Sequence, residues 1–235
     1  MDQSNKAYYL KNLELALLLS IKGMKSLYGF KMDNIGQSGQ AVIYQTLFDL
    51  EKKDLIKVEA NKDIRIFSEL DQILENIKSA KRMLIHIGRF SEYPDQCIYL
   101  GDRAVFVSPY GTTGDMNRLE SVVGDRLIEK IFESGFCLEE IVSDEGLFRR
   151  EQIENPELEE KASLLFAKDF AALEDSEWGN IASSLKLLSL KSGKCKKQYL
   201  LIKDTLNDYF VVTDEKTCIY PYSKKIIIET LKNDI

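Results

Sequence analysis

Residues 82–109 read RMLIHIGRFSEYPDQCIYLGDRAVFVSP, and residues 185–214 read LKLLSLKSGKCKKQYLLIKDTLNDYFVVTD. Each stretch carries three short apolar runs. In the first they are MLIHI (83–87), CIYL (97–100) and AVFV (104–107). In the second they are SLKLLSL, which begins at Ser184, then YLLI (199–202) and YFVV (209–212). The runs are too short for helices and lack clean alternation, which predicts strands covered on both faces. Polar segments part them, and Gly101-Asp102-Arg103 suits a tight hairpin turn. Both stretches therefore read strand, polar hairpin, strand, tight turn, strand, and each precedes a helix. They lie about a hundred residues apart, too long a period for a solenoid. This repeat predicts an α+β fold: a central antiparallel sheet made of two pseudo-symmetric three-stranded repeats and covered by helices.

The flanking segments supply the helices. Leu10, Leu13, Leu17 and Ile21 are spaced for a helix over residues 7–28. After the loop DNIGQSGQ (33–40) comes YQTLFDLEKKDLIKVEANKDIRIF (44–67). Here a helix through Ile43, Leu47 and Leu50 meets a polar turn and Ile64-Arg65-Ile66, the helix-then-wing cadence of winged-helix repressors. Ser68 is placed to cap a following helix with the stripe Leu70, Ile73, Leu74 and Ile77. YGTTGDMN (110–117) is expected to lead into a helix through Leu119, Val123, Leu127 and Ile131. Residues 138–155 look irregular. Asn155 then caps a helix in which Pro156 fits the first position, Glu157, Glu159 and Glu160 suit the dipole, and Leu158, Ala162, Leu165, Phe170 and Leu173 share a face. SKKIIIETLKN (223–233) closes the chain as a helix. The expected organisation is an N-terminal half, 1–135, and a C-terminal half, 136–235, packed as one unit.

Composition narrows the function. The 235 residues are 44% hydrophobic and 30% charged, as in an ordinary globular protein, and long enough for a sizeable core. A net charge of −6 provides no global attraction for nucleic acid or anionic membrane. The four cysteines, Cys97, Cys137, Cys195 and Cys218, are dispersed and His86 is the one histidine, so no zinc-ligand spacing exists. The apolar run Leu15–Ile21 is too short for a membrane span and lacks a cleavage site. A cytoplasmic protein with reduced thiols is the expectation.

Catalytic patterns are weak. His86 sits inside an apolar strand, where a hydrogen-bonded core histidine fits better than a general base. GQSGQ misses the GxSxG nucleophile elbow by one position, and GTTGD has no Walker lysine after it. No enzyme and no cofactor are expected. The DNA-binding alternative is poorly equipped too. AVIYQTLFDLEKK offers Gln45 and terminal lysines, but Asp49 and Glu51 oppose phosphates, and Lys62 and Arg65 in the presumed wing stand beside Glu59 and Asp63.

The order of elements, from LFDLEKKDLIKVEANKDI through a helix to AKRMLIHIGRFSEYPDQCIYLGDRAVFVSP, resembles the N-terminal half of EspG-type chaperones of bacterial type VII secretion. That family has a pseudo-twofold architecture with a central antiparallel sheet. The resemblance implies a cytoplasmic, non-enzymatic chaperone or adaptor that binds a secreted helical-hairpin protein or toxin, with no membrane or nucleic-acid partner. A winged-helix transcriptional regulator is the alternative. No contact residue carries over by identity, so physics supplies the candidate partner-binding residues. They are the aromatics and cations of the two hairpin turns: Arg89, Phe90 and Tyr93, then Lys194, Lys196, Lys197 and Tyr199. Charge distribution supports the second turn, since residues 181–203 hold six lysines and no acid in an otherwise acidic chain.

Overall fold

The computed structural model describes residues 6–28, 38–88, 96–111, 115–138, 152–167, 180–205 and 207–235. The six apolar runs and their neighbours form the expected strands. They are β4 (Arg82–Gly88), β5 (Gln96–Leu100), β6 (Ala104–Tyr110), β8 (Ile181–Ser189), β9 (Cys195–Ile202) and β10 (Tyr209–Thr213). Each repeat gains a fourth strand that the periodicity did not announce: β7 (Met116–Val122) and β11 (Thr217–Pro221). With β1 (Ala7–Lys11) they make a nine-stranded antiparallel sheet of order β1-β7-β6-β5-β4-β8-β9-β10-β11. The order is palindromic in the repeats. Their first strands, β4 and β8, pair antiparallel from Arg82↔Ser189 to Gly88↔Ser183.

Six helices lie among the described residues: α1 (Asn12–Ile21), α2 (Gln40–Lys52), α3 (Ser68–Ser79), α4 (Leu127–Glu133), α5 (Pro156–Ala167) and α6 (Lys224–Asp234). Each repeat therefore reads helix, four strands, helix. A separate two-stranded ribbon, β2 (Ile56–Val58) with β3 (Ile64–Ile66), follows α2 and supplies the wing-like segment.

Contacts divide the chain into two compact units. One comprises Met1–Ala80 with Gln96–Val123, the other Lys81–Asp95 with Gly124–Ile235. Compared with the expected halves, β4 and α4 group with the C-terminal strands.

In the first unit, the helix expected over 7–28 forms only from Asn12 to Ile21. Residues 7–11 alternate instead, with Tyr8 and Leu10 buried and Tyr9 and Lys11 exposed, and pair with β7 from Ala7↔Glu120 to Lys11↔Met116. Lys11 donates its backbone N–H to the Glu14 carboxylate at 2.8 Å, so the helix starts there. Lys22 is its C-cap, and Gly23, at φ 74°, follows as the left-handed residue that ends it: Met24 donates to the Leu19 carbonyl at 2.8 Å and Gly23 to Ser20 at 2.9 Å. The expected helix through Leu119 and Val123 is likewise corrected. Leu119 and Val122 are buried residues of β7, paired with Val107 and Ala104, and the helix begins at Leu127. The Leu70, Ile73, Leu74 and Ile77 stripe of α3 is buried as expected and packs over β5, β6 and β7. Ser68 is its first residue, and the cap position falls to Phe67 without a side-chain bond.

In the second unit, α5 covers β9, β10 and β11. Asn155 caps it through its side chain, accepting from the Leu158 N–H at 3.2 Å, as the sequence indicates. Ala162 and Leu165 pack with Ile181, Leu200, Ile202, Val211 and Ile219. Phe170 and Leu173 lie outside the described residues. Near-continuous burial along β8, β9 and β10 matches strands covered on both faces.

Candidate functional site

The β8–β9 hairpin carries the second group of candidate residues. Its turn closes through Ser189, whose carbonyl accepts from Gly193 at 2.8 Å and whose N–H donates to the Lys194 carbonyl at 3.0 Å. Gly193 takes φ 66°, a left-handed value that a Cβ would penalise. Lys194 and Lys196 project into solvent, and Lys191 and Lys203 are exposed as well.

Lys197 and Tyr199 depart from the expected exposed cation and aromatic. Lys197 is half-buried and pairs with Asp234 at 2.8 Å and Asp214 at 3.2 Å. Burial pulls its pKa down, but the hydrogen bonds and charges of Asp234 and Asp214 outweigh this and hold it above the ordinary lysine value. Tyr199 is fully buried and donates to Asp234 at 3.0 Å; burial, then the Asp234 charge, pushes its phenol up. The cause of the correction is α6, which brings Asp234 down onto β9. Arg82 completes the anchor by donating to the Asp234 and Ile235 carbonyls at 2.8 and 2.9 Å. Lys186, another of the six lysines, is buried with its ammonium donating to the Leu165 carbonyl at 3.2 Å. The charge run is thus four exposed cations and two structural ones. Arg89, Phe90 and Tyr93 lie outside the described residues.

The face of α2 decides what kind of surface the wing-like segment presents. Tyr44 and Phe48, one turn apart, are 68% and 60% exposed. Only Thr46 and Leu50 of this helix are buried, and Ile43 and Leu47 are half-buried. Asp49 accepts from Gln45 at 2.8 Å, which occupies the side-chain amide midway along the helix. Glu51 accepts the Val58 N–H at 3.2 Å and joins the helix to the ribbon. The surface is aromatic and mixed in charge.

His86 is a core residue. It is 1% exposed, its Nε2 lies 2.9 Å from the Ser183 hydroxyl, and the Phe136 ring meets it edge-on at 6.0 Å. Burial lowers its pKa to about 4, so the ring is neutral at physiological pH. Among the described residues no group of three or more His, Cys, Asp or Glu side chains is arranged to hold a metal ion. No described helix is long and apolar enough to cross a membrane.

No protein-family model matches the chain, and no curated protein matches it in sequence. Among solved structures, the chain is similar in fold to the Mycobacterium tuberculosis type VII secretion system chaperone EspG5, determined in complex with the PE25-PPE41 dimer. The match covers 94% of this chain and 93% of that one, with a TM-score of 0.56 and 6% sequence identity. The likeness is one of fold.

Proposed function

We propose that the protein is a chaperone or adaptor that acts in the cytoplasm, holding a secreted helical protein of a type VII-like system before export. The supporting observation is the correspondence of fold along nearly the whole of both chains, with a neighbour that is itself a chaperone bound to a PE-PPE dimer. The exposed Tyr44 and Phe48 agree with a protein partner, since aromatics anchor interfaces. On this reading the protein has no catalytic role.

The exposed lysines of the β8–β9 turn, Lys194 and Lys196, steer an acidic or amphipathic segment of that partner, with Arg89, Phe90 and Tyr93, which follow β4 in the sequence, as further contacts. Lys197 and Tyr199 serve from behind, holding the strand and α6 in place. Rim charges set association rate more than residence time. The variant Lys194→Glu with Lys196→Glu is therefore expected to slow association about three- to tenfold and to flatten its salt dependence, with dissociation little changed. Stopped-flow or surface-plasmon kinetics at two ionic strengths checks this; an unchanged association rate assigns the two lysines to solubility. Lys197 is left out of the variant because a glutamate there would face Asp214 and Asp234.

The α2–ribbon arrangement keeps one rival, a winged-helix regulator. Gel-shift titration with genomic duplex fragments separates the two. The chaperone reading expects nothing tighter than the roughly 10⁻⁴ to 10⁻⁶ M of non-specific contacts. Nanomolar, sequence-selective binding would replace it.

A further inference from the structure

Helices α4 and α6 of the second unit flank an open groove of about 540 Å³. Its floor is apolar: Ile128 and Phe132 from α4, Ile228 from α6. Its two rims have opposite charge. Asp125, in the 3-10 turn Gly124–Arg126 that leads into α4, and Glu129 and Glu133 line one side, one acid per helical turn. Lys224 and Lys232 line the other, with Ile228 midway between them on the same row of α6. Arg126 and Lys130 pair with Glu129 at 3.4 Å and Glu133 at 3.2 Å, but neither cation lines the groove, and such surface pairs are weak. The Tyr222 hydroxyl, just before α6, accepts from the Leu138 N–H at 3.0 Å and donates to the Leu138 carbonyl at 3.1 Å, tying the chain that leaves α4. The Lys224 ammonium lies over the Phe132 ring, 5.2 Å from its centroid, so a guest seated on Phe132 swings this exposed side chain back to its rim.

We propose that this groove receives an amphipathic helical segment of the partner, its apolar stripe on Ile128, Phe132 and Ile228, one flank cationic against α4 and the other acidic against α6. Each row runs over nine residues, eight steps of 1.5 Å or about 12 Å, so the groove takes about two turns of the guest. Opposite rims do more than attract. A helix with one basic and one acidic flank satisfies both rims in a single direction only, and turning it end for end sets like charges together. The groove therefore reads the direction in which the helix lies. This rests on the reading that the partner is a helical protein.

The probe is a fluorescein-labelled 15-residue helical peptide with a leucine stripe, lysines on one flank and glutamates on the other. Two controls keep the stripe and carry lysine on both flanks or glutamate on both. Anisotropy with the intact protein is expected to rank the dipolar peptide about tenfold above either control. The variant Lys224→Glu with Lys232→Glu, which makes both rims acidic, is expected to prefer the all-lysine peptide. Both substituted side chains are exposed, so the fold is retained. Alkylation of Cys137, an exposed thiol at the groove, is expected to slow when the dipolar peptide is bound. Equal binding of the three peptides, a variant with unchanged preference, unprotected Cys137, or no binding at about 1 mM peptide would each overturn the proposal. None of these outcomes bears on whether a secreted protein is captured in cells, which is tested separately.

Discussion

His86 illustrates what a single residue can and cannot announce. Its place inside MLIHI predicts a buried ring, and the ring is buried against Phe136 with Ser183 at its Nε2. Ser183, which meets the Nε2 alone, lies on the neighbouring strand β8 and is invisible to local pattern. The depressed pKa has a consequence for stability. Below pH 6.5 the unfolded chain takes up a proton on this imidazole that the folded ring refuses until about pH 4. Stability present above pH 6.5 is therefore lost as pH falls through that window, by about 3 kcal/mol in total for this group. Urea denaturation of the wild type and His86→Gln at pH 7 and pH 4.5 checks it. The wild type is expected to lose more stability than the variant on acidification, and parallel losses would assign the acid sensitivity to carboxylates. Lysines 186 and 197 teach the converse lesson. A run of cations reads as a solvated surface until folding brings the Leu165 carbonyl to one and Asp214 and Asp234 to the other.

At the scale of elements, the segments with one clear period were legible and those with a mixed one were not. The α3 stripe and the Asn155-Pro156 start of α5 appear where the sequence places them. β7 was hidden because Leu119, Val123, Leu127 and Ile131 fall four apart, although Leu119 belongs to a strand and Leu127 to a helix, and because Asn117 and Glu120 are polar residues buried within it. β11 is short, ends at Pro221, and fully buries only Ile219. β1 was absorbed into α1 because Leu10 keeps helical spacing with Leu13 and Leu17. The junction of α1 with α2 offers a test. The Glu14 carboxylate is buried, held by Lys53 at 2.6 and 2.8 Å and by the Lys11 N–H. Lys53→Met leaves that charge with one backbone donor and is expected to cost about 3 kcal/mol, toward the low end for a buried pair because Lys53 is partly solvated. Adding Glu14→Gln is expected to recover part of the loss in chemical denaturation. A double variant no more stable than Lys53→Met would contradict the account.

At the scale of the molecule, the internal repeat was the part most readable from sequence, since six of its eight strands stand out as apolar runs. The site was much less so. A partner surface depends on which side chains remain exposed after packing, and that moved Tyr199 and Lys197 inward while leaving Tyr44 and Phe48 outside. The opposed rims of the α4–α6 groove come from rows about a hundred residues apart, with nothing in either row to reveal the other. The most direct measurement is affinity purification of the tagged protein from its native cells, with quantitative mass spectrometry of bound protein and sequencing of bound DNA from the same eluate. The account predicts a helical protein in about stoichiometric amount that is also found outside the cell, and no enriched DNA sequence. Enrichment of discrete promoter fragments without such a protein would contradict it.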